Sequence, residues 1–218
     1  MNIVRILIAD DHDVVREGLK ALLATRSDFF VCGEADNGRD AVAQALALKP
    51  HVAVLDFSMP ELNGREATRQ IRRALPATEV LILTMHDSEE LALEVLEAGA
   101  RGFVLKTQAR NHLVAAVDAL ARHQPFLSGH LSARVRNAYL RPGQDVARTG
   151  TPAGRLTPRE REVVQLVAEG RSTKDAAQRL GLSVKTVDAH RANIMRKLDL
   201  HSVSELVLYA VRNNIVQP

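Results

Sequence analysis

The stretch that decides the fold is residues 51–60, HVAVLDFSMP. It begins with four apolar residues, 52–55, a run typical of a strand that is buried on both faces of a parallel sheet. Asp56 stands where this strand should end, and Pro60 then forces a turn because proline cannot continue a strand ladder. Chemistry in open α/β sheets lies at the carboxyl ends of strands, so Asp56 is a candidate site residue. Taken alone, it could equally be a helix cap.

The same rhythm repeats on both sides of this stretch. Five apolar, strand-like runs each precede a segment with helical periodicity, and strict alternation of this kind predicts a doubly wound parallel sheet with helices on both faces. The expected strands cover residues 3–9, 29–34, 52–55, 80–83 and 102–105. The expected helices cover residues 12–25, 38–48, 61–75, 88–98 and 109–122.

Polar side chains follow four of these strands at the points where they end: Asp10, Asp11, Asp56, Thr84 and Lys106. In a parallel sheet the carboxyl ends share one edge, so three acids, a hydroxyl and an ammonium group should meet there. Each residue alone could be a cap or a solvated charge. Together, three carboxylates repel one another and need a counter-charge, which a hard divalent cation supplies.

An aspartate carboxylate at such an edge has a second use, as a nucleophile towards phosphorus. The product is an aspartyl phosphate. Lys106 and a metal ion would offset the charge on the transferring phosphoryl group, and the Thr84 hydroxyl would donate to one of its oxygens.

Beyond residue 125 the charge and the pattern both change. Residues 1–125 carry a net charge of −4 and residues 126–218 a net charge of +7, which indicates a polyanion as partner of the second half. The polar stretch 141–154, with two Pro and three Gly, predicts a linker, preceded by a short helix over 131–140.

The single cysteine of the chain permits no intrachain disulfide. No run of ~18 apolar residues or signal peptide is present, which favours a cytoplasmic protein without membrane contact.

The last 60 residues predict four helices, and the second and third are joined by the Gly-containing turn 181–183. This spacing is typical of a helix-turn-helix, although a purely structural bundle fits it too. On the third helix Val187, Ile194 and Leu198 define the buried face. The residues that then point towards a major groove are Lys185, Asp188, Ala189, Ala192 and Arg196. Phosphate contacts are expected from Arg171, Lys174 and Lys197, and Arg191 is also expected at DNA although it lies closer to the core.

Residues 1–125 resemble the receiver domain of bacterial response regulators. The resemblance rests on the Asp10-Asp11 pair, on D-x-x-M-P-x-x-x-G from residue 56 to residue 64, and on Thr84 and Lys106. It implies a flavodoxin-like fold with strand order 2-1-3-4-5 and transfer of a phosphoryl group to Asp56 from a sensor histidine kinase. It also implies that Mg²⁺ (or Mn²⁺) is held by Asp10, Asp11, Asp56 and the backbone carbonyl of Ser58.

Two further pairs of residues carry roles only through this resemblance. Thr84 and Phe103 match the switch pair of the family, in which the hydroxyl moves towards the phosphoryl group and the ring turns inward. Ser58 and His86 occupy positions that tune loss of the phosphoryl group. The receiver itself is expected to be no enzyme beyond slow self-phosphorylation from small donors and self-dephosphorylation.

Residues 155–218 resemble the LuxR-type helix-turn-helix, through the segments 156–160, 180–183, 186–191 and 194–198. The resemblance adds Thr186 and Thr173 to the expected DNA contacts, although the family more often has Asn at position 173. Together the two halves resemble the NarL/FixJ family. The expected organisation is a receiver domain at 1–125, a linker at 126–154 and a DNA-binding domain at 155–218. The expected partners are double-stranded DNA and, when phosphorylated or DNA-bound, a second copy of the chain.

Three other functions remain open at this point. A phosphohydrolase with an aspartate nucleophile usually has a second acid two residues later, where this chain has Ser58. A flavin-binding domain needs a phosphate loop after the first strand, where this chain has Asp11-His12-Asp13, which is unsuited to an anion. The third alternative is a constitutive DNA-binding protein that keeps its receiver only for interaction.

Overall fold

The computed structural model describes residues 3–129 and 156–216, together with residues 135 and 137. These residues divide into two compact units, which are described separately. The helix expected over 131–140 and the linker expected over 141–154 lie outside the described residues, apart from those two positions. No helix among the residues described is both long enough and apolar enough to cross a membrane.

The first unit is built on a fully parallel sheet in the order β2-β1-β3-β4-β5-β6. The first five strands confirm the expected order 2-1-3-4-5. The strands are β1 (Val4–Ala9), β2 (Phe29–Ala35), β3 (Val52–Asp56), β4 (Glu79–Thr84), β5 (Gly102–Leu105) and β6 (Phe126–Leu127). β3 and β4 are buried along their whole length, as the continuous apolar runs predict.

The sixth strand corrects the expectation of five. Residues 126–127 extend the sheet beyond β5: Phe126 N–H donates to the Arg101 carbonyl at 3.0 Å, and Ser128 N–H donates to the Phe103 carbonyl at 2.9 Å. A strand of two residues spans only one period of apolar alternation, which is too little to form a recognisable strand pattern. The chain therefore stays on the sheet where the sequence indicated that it leaves.

Five helices cover the two faces of this sheet: α1 (Asp13–Leu23), α2 (Gly38–Leu48), α3 (Gly64–Ala74), α4 (Glu89–Glu97) and α5 (Ala109–Ala121). Side chains fix where three of them begin, since Asn37, Asn63 and Ser88 each accept a hydrogen bond from a backbone N–H of the first turn. The Asn63 cap explains why α3 begins three residues later than the expected residue 61.

Among the residues described, the second unit has four helices: α6 (Pro158–Ala168), α7 (Thr173–Leu180), α8 (Val184–Leu198) and α9 (Val203–Arg212). Thr157 and Glu160 form a capping box at the start of α6. Gly181 adopts the left-handed conformation (φ +63°) that ends α7, and Ser183 then caps α8. Val187 and Ile194 are fully buried in the core of this unit, so α8 presents the predicted face inward.

Candidate functional site

The register of the sheet brings the ends of β1, β3, β4 and β5 to one edge. Ala9 pairs with Leu55, so Asp10 and Asp56 follow at the same level. Thr84 pairs with Leu105, directly before Lys106. The residues that the sequence analysis placed at one edge are therefore neighbours in the structure.

Lys106 joins the two buried acids of this edge. Its Nζ lies 2.7 Å from Asp10 Oδ2 and 3.0 Å from Asp56 Oδ2. The Asp10 side chain is 0% exposed, that of Asp56 5% and that of Lys106 13%. Buried charges are stable only when paired. One ammonium group faces two carboxylates here, so the edge keeps an excess of negative charge.

The carboxyl group of Asp56 has a raised pKa of about 6. Burial is the largest cause and the Asp10 carboxylate adds to it, against the opposing effects of Lys106 and of a backbone hydrogen bond from Ser58. Burial also acts to lower the pKa of Lys106, but the Asp56 and Asp10 carboxylates outweigh it, and the net result is a raised pKa. The lysine is thus held in its charged form.

Several side chains that could bind a cation lie together at this edge of the sheet. Ligand atoms of Asp10, Asp11, His12 and Asp56 all lie within 4.8 Å of one another. Carboxylate oxygens are the ligands that Mg²⁺ prefers, and the ion keeps several waters, so the three carboxylates of this set fit it. His12 is the member that sequence reasoning missed: its Nδ1 lies 2.9 Å from Asp11 Oδ1 and 3.3 Å from Asp10 Oδ1. Only the preceding aspartate pair could have drawn attention to it.

Gly64 closes the loop that follows Asp56, and its lack of a side chain has a steric reason. A Cβ atom at this position would lie 2.3 Å from the Asp56 carbonyl oxygen and 2.9 Å from the Phe57 Cα. Gly64 N–H donates to the Phe57 carbonyl at 2.8 Å. The glycine at the end of the D-x-x-M-P-x-x-x-G motif therefore lets α3 begin directly against the backbone of the candidate phosphoacceptor.

The expected switch residues lie on β4 and β5. Thr84 is 1% exposed, and its Oγ1 accepts a hydrogen bond from His86 N–H at 3.1 Å. Phe103 is fully buried, so its ring already lies inside the protein. His86 is exposed in the loop after β4. Movement of Thr84 towards a phosphoryl group stays a prediction.

On α8 the face predicted to read DNA is exposed. The side chains of Lys185, Asp188, Ala189, Ala192 and Arg196 all lie on the surface of the helix, and Arg171 and Lys174 are exposed as well. Their contacts with DNA stay predictions.

Several of the residues expected at DNA form bonds within the second unit. Lys197 Nζ lies 2.8 Å from Glu160 Oε2 of α6. Arg191 donates to the Thr173 hydroxyl at 2.9 Å, which gives Arg191 the structural contact that its position near the core indicated. The Thr186 hydroxyl lies 2.7 Å from that of Ser183, at the start of α8. These contacts join two helices or lie at the start of one.

Comparisons with known proteins agree with both halves of this description. Residues 6–118 match the family model of the response regulator receiver domain, and residues 154–210 match that of bacterial regulatory proteins of the luxR family. The oxygen regulatory protein NreC of Staphylococcus epidermidis is 38% identical over 217 residues, covering 98% of this chain and 100% of that protein. NreC of Staphylococcus carnosus is 38% identical over 215 residues, covering 98% and 99%.

Solved structures give the same result. RcsB of Salmonella typhimurium, a response regulator, is 27% identical with a TM-score of 0.65, covering 99% of this chain and 100% of that one. A complex of RcsB with DNA matches with 28% identity and a TM-score of 0.56, covering 95% and 98%. The receiver domain of the putative response regulator NarL from Mycobacterium tuberculosis is 35% identical with a TM-score of 0.55, covering 57% of this chain and all of that domain.

Proposed function

Because the chain belongs to the response-regulator family of two-component systems, with a receiver followed by a LuxR-type DNA-binding domain, we propose that Asp56 accepts a phosphoryl group from a histidine kinase. The observation that carries this proposal is Lys106, whose ammonium group touches both Asp10 and Asp56. A lysine buried between two acids stands where a dianionic phosphoryl group on Asp56 needs a positive charge.

The transfer follows from the groups at this edge. A carboxylate oxygen of Asp56 attacks phosphorus, an O–P bond forms, and the P–N bond of the donor phosphohistidine breaks, with its electron pair returning to the imidazole. Lys106 stays within reach of the new phosphoryl oxygens and offsets their charge. A bound Mg²⁺ or Mn²⁺, held by Asp10, Asp11, Asp56 and the Ser58 carbonyl, supplies further charge neutralisation. The protein acts as a phosphoacceptor, and its own chemistry is limited to slow self-phosphorylation and dephosphorylation.

Phosphorylation then changes what the second unit does. The Thr84 hydroxyl leaves His86 N–H and donates to the phosphoryl group, and the segment around Phe103 repacks. This shifts the population of chains that dimerise and place α8 on two DNA half-sites, rather than creating a new fold. The exposed face of α8, led by Lys185, reads the major groove, and Lys174 contacts phosphates. The receiver occupies residues 1–125 and the DNA-binding domain residues 155–218.

The test is phosphoryl uptake from a small phosphodonor with Mg²⁺, measured on the intact chain by mass. The wild type is expected to gain one phosphoryl group and Asp56→Asn none. Asp118→Asn is the matched control, because Asp118 lies on α5 beside Arg122, away from the site. Equal labelling of Asp56→Asn and the wild type would overturn the proposal.

A gel shift with a duplex selected from a random pool tests the output. Phosphodonor is expected to strengthen binding by the wild type and to leave binding by Asp56→Asn unchanged. Equal binding with and without phosphodonor would identify a constitutive DNA-binding protein instead.

A further inference from the structure

The chain that leaves α5 does not depart from the receiver at once but runs along β5 to the edge that holds the site. Phe126 N–H donates to the Arg101 carbonyl at 3.0 Å, and Ser128 N–H donates to the Phe103 carbonyl at 2.9 Å. These bonds place residues 126–128 beside the strand that carries Phe103 and ends directly before Lys106. The residues that follow α5 are thus tied to the strand that ends directly before the lysine of the site.

Ser128 makes the contact nearest to the site. Its side-chain Oγ accepts a hydrogen bond from Leu105 N–H at 3.0 Å, and the residue is 5% exposed. β6 ends at Leu127, so the hydroxyl takes the place that a strand carbonyl would occupy one step further along the ladder. A buried N–H without an acceptor is costly. The Ser128 side chain therefore satisfies the final backbone donor of β5.

We propose that Ser128 is a positioning residue for Lys106, and that this hydrogen bond links the phosphoacceptor site to the chain that leads towards the DNA-binding domain. Leu105 directly precedes Lys106, and the backbone changes there from strand to a single 3-10 turn (Lys106–Gln108). The place where the strand ends fixes the Cα of Lys106. From it, one ammonium group must reach two carboxylates, at 2.7 Å and 3.0 Å.

The next residue strengthens the link. Gly129 adopts a left-handed conformation (φ +97°), and a Cβ atom there would lie 3.2 Å from Asp87 Oδ1 and 3.5 Å from Leu105 Cδ1. Asp87 belongs to the loop that follows Thr84, the proposed switch hydroxyl. Residues 128–129 are therefore seated against the ends of both β4 and β5, where a new phosphoryl group acts on Thr84 and Lys106.

The inference rests on the proposed phosphorylation of Asp56, and the experiment separates the two. The rate of phosphoryl uptake is measured against the concentration of a small phosphodonor for the wild type, Ser128→Ala, Ser128→Thr, Lys106→Ala and the double variant Ser128→Ala/Lys106→Ala. Ser128→Ala is expected to lower the limiting rate about tenfold, since a misplacement of about 1 Å in a reacting site costs on the order of 10²-fold. Ser128→Thr keeps the hydroxyl and is expected to recover most of the rate.

The rate of the double variant distinguishes a positioning role of Ser128 from a merely structural one. If Ser128 acts through Lys106, then Ser128→Ala has no further effect on the rate once Lys106 is alanine. Thr78→Ala is the matched control: Thr78 is a buried hydroxyl that donates to the Pro50 carbonyl at 2.7 Å, at the opposite edge of the sheet. It is expected to lower the melting temperature without changing the rate.

The possible outcomes distinguish a failure of this inference from a failure of the proposed function. Uptake by the wild type with an unchanged rate in Ser128→Ala overturns this inference and leaves the proposed function standing. The same tenfold loss in the Lys106→Ala background also overturns it, because Ser128 then acts on the fold rather than on the lysine. No uptake by the wild type overturns the proposed function itself, and the positioning role of Ser128 with it.

Discussion

Lys106 Nζ lies 3.0 Å from Asp56 Oδ2, and both side chains are largely withdrawn from solvent. The second acid at this lysine, Asp10, is completely buried. One lysine therefore does not neutralise the two carboxylates. The pKa of Asp56 is raised to about 6, mainly by burial and also by the Asp10 carboxylate. The pH dependence of stability and the effect expected of Mg²⁺ both follow from this relationship.

The raised pKa of Asp56 predicts how stability depends on pH without Mg²⁺. Between the unfolded value of 3.8 and the folded value of about 6, the folded protein binds a proton that the unfolded chain does not. The contribution of Asp56 to the free energy of unfolding therefore falls as pH rises through this window and stays low above it. Asp56→Asn removes the buried charge, so it is expected to stabilise the protein at pH 7 by on the order of 1–2 kcal/mol.

Urea unfolding of the wild type and Asp56→Asn at pH 5 and pH 7 checks this prediction. The advantage of the variant is expected to be larger at pH 7 than at pH 5. An advantage that grows as pH falls would contradict the charge balance described for the site.

Mg²⁺ is expected to raise the melting temperature of the wild type, because a ligand that binds only the folded state stabilises it, by about 2.7 kcal/mol at a hundred times its Kd. Asp11→Asn is expected to reduce this shift strongly, since Asp11 belongs to the cluster around Asp10 and Asp56. Thermal unfolding with and without MgCl₂ measures the shift.

Asp13→Asn is the control for this experiment. Asp13 is the next aspartate along the chain, its side chain is 85% exposed, and it is not a member of the cluster. An equal Mg²⁺ shift in Asp11→Asn and Asp13→Asn would exclude Asp11 as a ligand.

Gly64→Ala is expected to destabilise the receiver by about 2 kcal/mol or more, because the added methyl group would collide with the Asp56 carbonyl and the Phe57 backbone. Phosphoryl uptake should fall as well, since the collision displaces the residue that accepts the group. Urea unfolding and mass measurement of labelling give the two values.

Gly18→Ala is the matched control, because Gly18 lies inside α1 and a Cβ atom there meets nothing within 4 Å. Alanine is better than glycine in a helix interior, so this variant should gain up to ~1 kcal/mol and keep full labelling. A neutral Gly64→Ala would show that the loop after Asp56 tolerates a side chain.

The residues at the sheet edge could be predicted because apolar runs locate strand ends, and parallel strands bring those ends together. Asp10, Asp56, Thr84 and Lys106 were placed in this way. His12 could not be, because its approach to Asp11 depends on how α1 begins. The proposed role of Ser128 could not be predicted, because β6 is two residues long and is too short to show a pattern of apolar alternation. The contact of Lys197 with Glu160 joins α8 to α6, and helical periodicity along one segment does not reveal pairs between two helices.

Lys197 and Lys185 are therefore expected to respond differently to alanine, although both lie on α8. Lys197 pairs with Glu160 at 2.8 Å. Partial burial raises the pKa of Glu160, but the hydrogen bonds from Lys197 and Thr157 outweigh it and leave the pKa below its usual value. Lys197→Ala should thus lower the free energy of unfolding by about 0.2–1 kcal/mol at pH 7, with the difference lost as pH falls below the ordinary pKa of a glutamate.

Lys185 is exposed near the start of the helix, so Lys185→Ala should leave stability unchanged and weaken binding to a selected duplex about tenfold. Urea unfolding and gel shifts on both variants test the pair, and tenfold weaker DNA binding by Lys197→Ala with unchanged stability would return Lys197 to the DNA-contacting surface.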